Sequence, residues 1–156
     1  MSITLSETPG TLAKFQRTSL KFQQTFRTPL KNLRPFVATI VSAQRPLDAC
    51  RLTFDQVVFE PKHVISLLAA NSLPLKYGHD WTLAATGRDS VVGLLETVFS
   101  DWVDFLFVPK PNSFVIYADH DEYTTFFANR KSNYNRVVEA LVAQGFVLVE
   151  NYERPL

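Results

Sequence analysis

The stretch from Val103 to Ala128 constrains the fold more than any other part of the chain. Its residues switch from helical spacing to strand-like runs. Asp-Phe-Leu-Phe-Val at 104–108, Ser-Phe-Val-Ile-Tyr-Ala at 113–118 and Tyr-Thr-Thr-Phe-Phe-Ala at 123–128 are separated by Pro-Lys-Pro-Asn and Asp-His-Asp-Glu. Connections this short join antiparallel neighbours, because a parallel return needs a crossover of about a dozen residues. Three consecutive strands of a β-meander are therefore expected over 104–128.

The remaining elements follow from spacing and punctuation. Leu12, Phe15, Phe22 and Phe26 fall near a three-four spacing before Pro29, which predicts a helix over 11–27. The β-branched and aromatic residues of 36–43 and 51–59 predict two paired strands, with Arg-Pro-Leu-Asp at 45–48 as their turn. Pro61 opens a helix carrying Val64, Leu67 and Leu68 on one stripe, and a short strand is expected at 81–84. Asp89 is placed to cap the next helix, whose Val91, Leu94, Leu95, Val98 and Trp102 share a face. Ser132 is expected to cap a last helix with Tyr134, Val137, Val138, Leu141 and Val142 on its buried side. Gly145 should end it, and a final strand should run over 146–152. Together these predict an α+β fold, an antiparallel meander sheet of about five to seven strands with amphipathic helices packed mainly on one face. Without repeats or linkers, residues 1–156 read as one domain, with 1–35 a basic N-terminal arm or helix packed on it.

Thirteen phenylalanines among 156 residues supply a bulky core without any staple. Cys50, the single cysteine, has no partner for an internal disulfide and reads as a small buried thiol. The first residues lack the basic and apolar regions of a secretory signal, and no apolar run is long enough for a membrane span. A cytoplasmic protein without membrane contact is the expectation.

Charge is unevenly placed. Residues 1–62 hold nine Lys or Arg against four acids, and residues 63–156 hold seven against eleven. Lys14, Arg17, Lys21, Arg27, Lys31 and Arg34 run without an intervening acid and alternate with Phe15, Phe22 and Phe26. Cations that meet phosphates beside rings that stack on bases suit single-stranded nucleic acid, so this segment is one candidate for contact with it. Packing of the same phenylalanines against the domain is the competing expectation. Arg130, Lys131 and Arg136, at the start of the last helix, are candidates for holding an anion with its free N–H groups.

The acidic candidates centre on the turn Asp119, His120, Asp121 and Glu122. A two-residue loop there would set Asp119 opposite Glu122, and paired carboxylates attract a cation or a basic partner. His79, Asp80, Asp101 and Asp104 also sit at element ends. His63, in the first turns of a helix, reads as structural. A Gly-rich phosphate loop, an HExxH pair and a multi-cysteine cluster are all missing from the sequence. A hairpin tip is convex and wet, unlike the concave site that catalysis requires, so Asp119–Glu122 is expected to be a contact surface rather than a catalytic centre. The resulting expectation is a non-enzymatic binding or protein-interaction domain with no catalytic residue and no cofactor, for example an immunity-type partner of another protein. The alternatives are a nucleic-acid-binding protein using the basic arm and a metal-dependent hydrolase using the Asp/His/Glu cluster.

Overall fold

The computed structural model describes residues 2–18, 20–43 and 47–155. The meander is present as β5 (Asp104–Lys110), β6 (Val115–Ala118) and β7 (Tyr123–Ala128), paired antiparallel with Phe107 opposite Ile116 and Tyr117 opposite Thr125. Around it, β1 (Ser2–Glu7), β2 (Phe22–Arg27), β3 (Ala49–Gln56) and β4 (Trp81–Thr86) complete one antiparallel sheet of order β1-β4-β3-β5-β6-β7-β2. The fold is α+β, with the sheet covered mainly on one face by α2 (Leu33–Ser42), α3 (Lys62–Ala70), α4 (Arg88–Ser100) and α5 (Lys131–Ala143).

Residues 2–27 enter the sheet instead of resting on it as an arm. They supply both of its edges, β1 and β2, and the chain crosses from one edge to the other through α1 (Thr11–Arg17). This corrects the helix expected over 11–27, which breaks at Thr18. The reason lies in the period: Phe22 and Phe26 are four apart, a spacing that suits one face of a helix and equally one face of a strand. With Gln24 and Thr25 between them and β7 available for pairing, the strand wins.

The second correction is α2, which occupies the strand expected at 36–43. Phe36, Val37, Ile40 and Val41 are fully buried and form a helical i, i+1, i+4, i+5 stripe. Pro35 lies in the first turn, where its missing N–H removes no bond. The turn expected at 45–48 lies partly outside the described residues. Residues 146–152 form no strand either. Leu148 makes one antiparallel bridge to Phe26, flanked by bonds from Arg27 N–H to the Val147 carbonyl and from Val149 N–H to the Thr25 carbonyl. The segment thus lies along the outer edge of β2 and continues over the sheet. The two expected caps also move: α4 begins after Gly87, with Asp89 in its first turn, and α5 begins after Arg130.

The helix-covered face is sealed by aromatic rings. Phe26, Phe36, Phe54, Phe105, Phe107 and Phe126 have no measurable exposure, and each such burial contributes about 1.5–3 kcal/mol. Alternation along the strands sends their neighbours to the other face: Thr53 and Asp55, Leu106 and Val108, Tyr117, Thr125 and Phe127. There α1 and the chain after residue 150 provide the cover. Among the described residues, no helix is long and apolar enough to cross a membrane.

Candidate functional site

The site begins with the shortness of α1. Seven residues of helix cannot cover the second face. Leu12 and Phe15 press onto it, Leu12 almost fully buried and the Phe15 ring edge-on to Phe127 at 5.5 Å between centroids. Beyond Phe15 the sheet stays open as a groove of about 460 Å³. Its floor and wall are apolar, made by Phe15, Leu106, Val108, Val115 and Phe127. Its rim is polar, with Lys14 of α1, Asn112 and Ser113 of the loop after β5, and Asn129 and Arg130 leading into α5. No acidic residue and no histidine lines it. The Ser113 hydroxyl oxygen is buried and has no hydrogen-bond partner, a state that costs about 1–3 kcal/mol. Helix α5 also starts without a side-chain cap on its first-turn N–H groups and with no acid in that turn. Cations contributed by α1 and by the start of α5, 116 positions later, therefore line one groove.

The carboxylates on the same face are arranged differently. Asp104, at the start of β5, is nearly buried, and its Oδ1 accepts from the His120 backbone N–H at 2.7 Å and from Nδ1 at 2.8 Å. Burial pushes the Asp104 carboxyl above its ordinary range, and the His120 bonds pull it part of the way back. The bond to Asp104 in turn raises the His120 imidazole above its usual value, against a smaller opposing effect of burial. Next to this pair the Tyr117 hydroxyl donates to Asp55 Oδ2. Burial first, and then that donation to a carboxylate, push the phenol upward. The Arg154 guanidinium lies 4.6 Å from the centre of the Tyr117 ring, donates to Asp119 Oδ2 and reaches Thr125 Oγ1 at 3.1 Å. The Arg154 backbone exchanges two hydrogen bonds with the Gln23 side chain.

The hairpin geometry differs from that expected for the acidic turn. Asp119 N–H donates to the Tyr123 carbonyl, so Asp119 faces Tyr123, and the loop is three residues ending on Glu122 at φ 70°. A three-residue loop with a left-handed last position is a common hairpin form. Asp119 Oδ1 accepts from the N–H groups of Asp121 and Tyr123. Asp119 and His120 are thereby turned inward, while Asp121 and Glu122 remain exposed beside Phe59, whose ring meets His120 at 6.5 Å.

The other candidates separate. Asp101 serves α3, accepting from Val64 N–H and His63 Nδ1, both at 2.7 Å. His79 contacts Asp55 and Asp80 and does not join Asp104. No group of three or more His, Cys, Asp or Glu among the described residues is placed to hold a metal ion. Cys50 is buried, and burial pushes its thiol up to about 12, far from a nucleophilic thiolate. Of the basic candidates, Lys14 and Arg130 reach the groove, and Lys21 is tied beside it by its N–H to Asn129 Oδ1 at 3.3 Å. Arg17 and Lys131 are exposed on their helices, and Arg27 lies over the Tyr123 ring at the far end of β2. Phe26 is buried in the core, Phe22 packs on Tyr134 and Phe15 on Phe127. The rings that would stack on bases are thus used internally.

Sequence reasoning missed Ser113, Asn112, Tyr117, Asp55 and Arg154. One signal was present: Phe105-Leu106-Phe107-Val108 and Thr125-Phe126-Phe127-Ala128 are nearly continuous apolar runs, as expected of strands covered on both faces. No protein-family model matches the chain, and no curated protein or solved structure is significantly similar to it.

Proposed function

We propose that this protein is a non-enzymatic binding domain and that the groove between α1 and β5–β7 receives its ligand. The observation that carries the reading is an open groove of about 460 Å³ with an apolar floor and a polar, acid-free rim. Small-molecule sites are concave, mostly apolar and of roughly 300–1,000 Å³, with a few polar groups that orient the ligand. The groove fits that description. A catalytic reading has less support, because Asp104, His120 and Tyr117, the groups with shifted acidity on this face, are engaged in hydrogen bonds within the chain.

The test is a fluorescence titration with prodan, a neutral naphthalene dye whose emission moves to the blue in apolar surroundings. Micromolar saturable binding is expected for the parent protein. Val108→Trp, which fills the floor, should abolish it while leaving the far-ultraviolet circular dichroism unchanged. Absence of binding by the folded parent protein overturns the reading.

A second reading, a protein contact of the immunity type, is favoured by Phe59, which is 54 % exposed beside His120 and the exposed Asp121. A peptide rich in lysine and tryptophan should then bind the parent and not the Phe59→Ser, Asp121→Ser double variant. Equal affinity for both proteins counts against it.

A further inference from the structure

We infer that this protein pairs with a second copy of itself through β1, edge to edge and antiparallel, so that two sheets join into one across a two-fold axis at Leu5. The edge is separate from the groove, and the inference does not depend on the groove binding anything.

The two edges of the sheet are treated differently. Outside β2 lies the segment 147–149, whose backbone bonds to Thr25 and Arg27 and whose Leu148 bridges to Phe26. Outside β1 no described residue bonds to the strand. Two hydrogen bonds fix which of its groups are left over: Thr8 N–H donates to the Asp80 carbonyl, and Gly87 N–H donates to the Asp48 carbonyl of the chain entering β3. Backbone groups alternate in direction along a strand, so Thr82, Ala84 and Thr86 turn toward β1 and meet Ser6, Thr4 and Ser2. Ile3, Leu5 and Glu7 therefore aim their N–H and C=O groups outward. Exposed edges are normally blunted by lysine, by proline or by a bulge. The sequence Ser-Ile-Thr-Leu-Ser-Glu keeps register with β4 throughout and has none of these.

The strand is complementary to itself. Antiparallel pairing about Leu5 sets Leu5 against Leu5, Ile3 against Glu7 and Thr4 against Ser6, and it uses every outward N–H and C=O group. Glu7, the one charge of β1, then meets no like charge. Ile3 and Leu5 are half-buried and pack on the helix-covered core, so the joint continues that core from one copy into the other. On the opposite face, Thr4 and Ser6 stand side by side as a hydroxyl pair. A foreign strand would draw its specificity from side-chain pockets beside the edge. The cavities at α1, between α2 and α5 and under the C-terminal segment include no residue of β1. With β2 covered, each copy offers one open edge, and the assembly closes at two. Such a strand extends about 20 Å and buries less than the roughly 800 Å² per partner of a standard interface, so the dimer belongs to the weak, transient class.

Sedimentation velocity on the full chain should show monomer passing to dimer between about 5 µM and about 1 mM, the range of a weak contact. Amide exchange measured by NMR identifies the surface. Between about 50 µM and about 1 mM, exchange at Ile3, Leu5 and Glu7 should slow about fivefold or more, while Thr4 and Ser6, already bonded to β4, should change less. Leu5→Pro removes an outward N–H and no bond to β4, the kind of position at which edge strands accept proline. It should sediment as a monomer throughout with its far-ultraviolet circular dichroism unchanged. Should that variant not fold, Leu5→Cys replaces it: mild oxidation should link two copies through position 5, because directly opposed residues stand about 5.5 Å apart between Cα atoms. Thr4→Cys, which faces Ser6 instead, should stay unlinked, and Cys50 is buried. A parent protein that remains monomeric at about 1 mM, a dimer that persists in folded Leu5→Pro, or a dimer that leaves exchange at Ile3, Leu5 and Glu7 unchanged overturns the inference.

Discussion

The groove and the carboxylate network share the second face of the sheet, but they differ in charge balance: the network pairs its acids with partners in the chain, whereas the groove is lined by cations and no acid. Asp104 has His120, Asp55 has Tyr117, and Asp119 has Arg154 together with two backbone N–H groups. Toward the other end of the same strands β5–β7, Lys14 and Arg130 line a groove without an acid, and Ser113 buries a hydroxyl with no partner. The difference separates two uses of polarity. Groups that satisfy one another hold a structure together, whereas groups left unsatisfied at a concave surface are poised for something from outside. Clustering of charge alone does not distinguish the two, which is why the acidic turn drew attention in the sequence and the groove did not.

The comparison is broken most directly by removing Arg154. Its side chain and that of Asp119 are each only 12 % exposed, so Arg154→Ala leaves a carboxylate nearly buried without its cation. Breaking a buried pair in this way costs about 3 kcal/mol or more. Urea denaturation should show that loss. Lys14→Ala, measured alongside, should change stability by less than about 0.5 kcal/mol. If Arg154→Ala costs as little as Lys14→Ala, solvent already answers Asp119 and the network is not closed. Tyr117→Phe is the milder version. It removes the donor to Asp55, whose side chain is 31 % exposed, and should cost about 1.5 kcal/mol by the same measurement.

How far the sequence carried the reading depends on whether a residue's partner was local. The meander, α4 and the α+β class were legible because period and turn signals act within a dozen residues, as in Val91, Leu94, Leu95 and Val98. The edge strand β2 was not, because Phe22 and Phe26 satisfy both periods and only pairing with β7 decides between them. Helix α2 was misread because its β-branched residues favour strands locally, while burial of Phe36, Val37, Ile40 and Val41 against the sheet overrides that preference. The candidate site was legible only in fragments. Lys14 and Arg130 were each recognisable as anion-binding candidates, but that both line one groove depends on α1 crossing the sheet from one edge to the other. Ser113 carried no signal at all, since an unsatisfied hydroxyl is defined by what surrounds it in space.

Ser113 tests the contrast through stability alone. Replacing a buried, unpartnered hydroxyl by a methyl group removes a desolvation cost. Ser113→Ala should therefore raise the unfolding free energy by up to about 1 kcal/mol, read from the urea midpoint at constant slope. A destabilised Ser113→Ala would mean that the hydroxyl already has a partner, and the contrast between groove and network would lose its strongest element.

The smallest effect sharpens the comparison through pH. His120 is raised above its ordinary value of 6.5 chiefly by its bond to Asp104. A histidine with a raised folded-state value contributes stability that is fully present below the unfolded value and disappears as pH rises through the folded one. Asp104, raised by burial above 3.8, acts in the same direction but in the acid range, because there too the folded state holds its proton more firmly. Near neutral pH the histidine step therefore stands apart from the carboxylate step. Between about pH 6 and pH 9 the protein should lose roughly 0.5 kcal/mol, the scale of a partly exposed ion pair. His120→Gln should remove that slope, and it should also carry the Asp104 step to higher pH, because the imidazole bond that holds Asp104 down is lost. The groove contains no histidine or carboxylate among its lining residues, so prodan binding measured over the same range should stay flat. A binding curve that follows the stability curve would show that the two regions are coupled through the sheet, and that satisfied and unsatisfied polar groups here belong to one site.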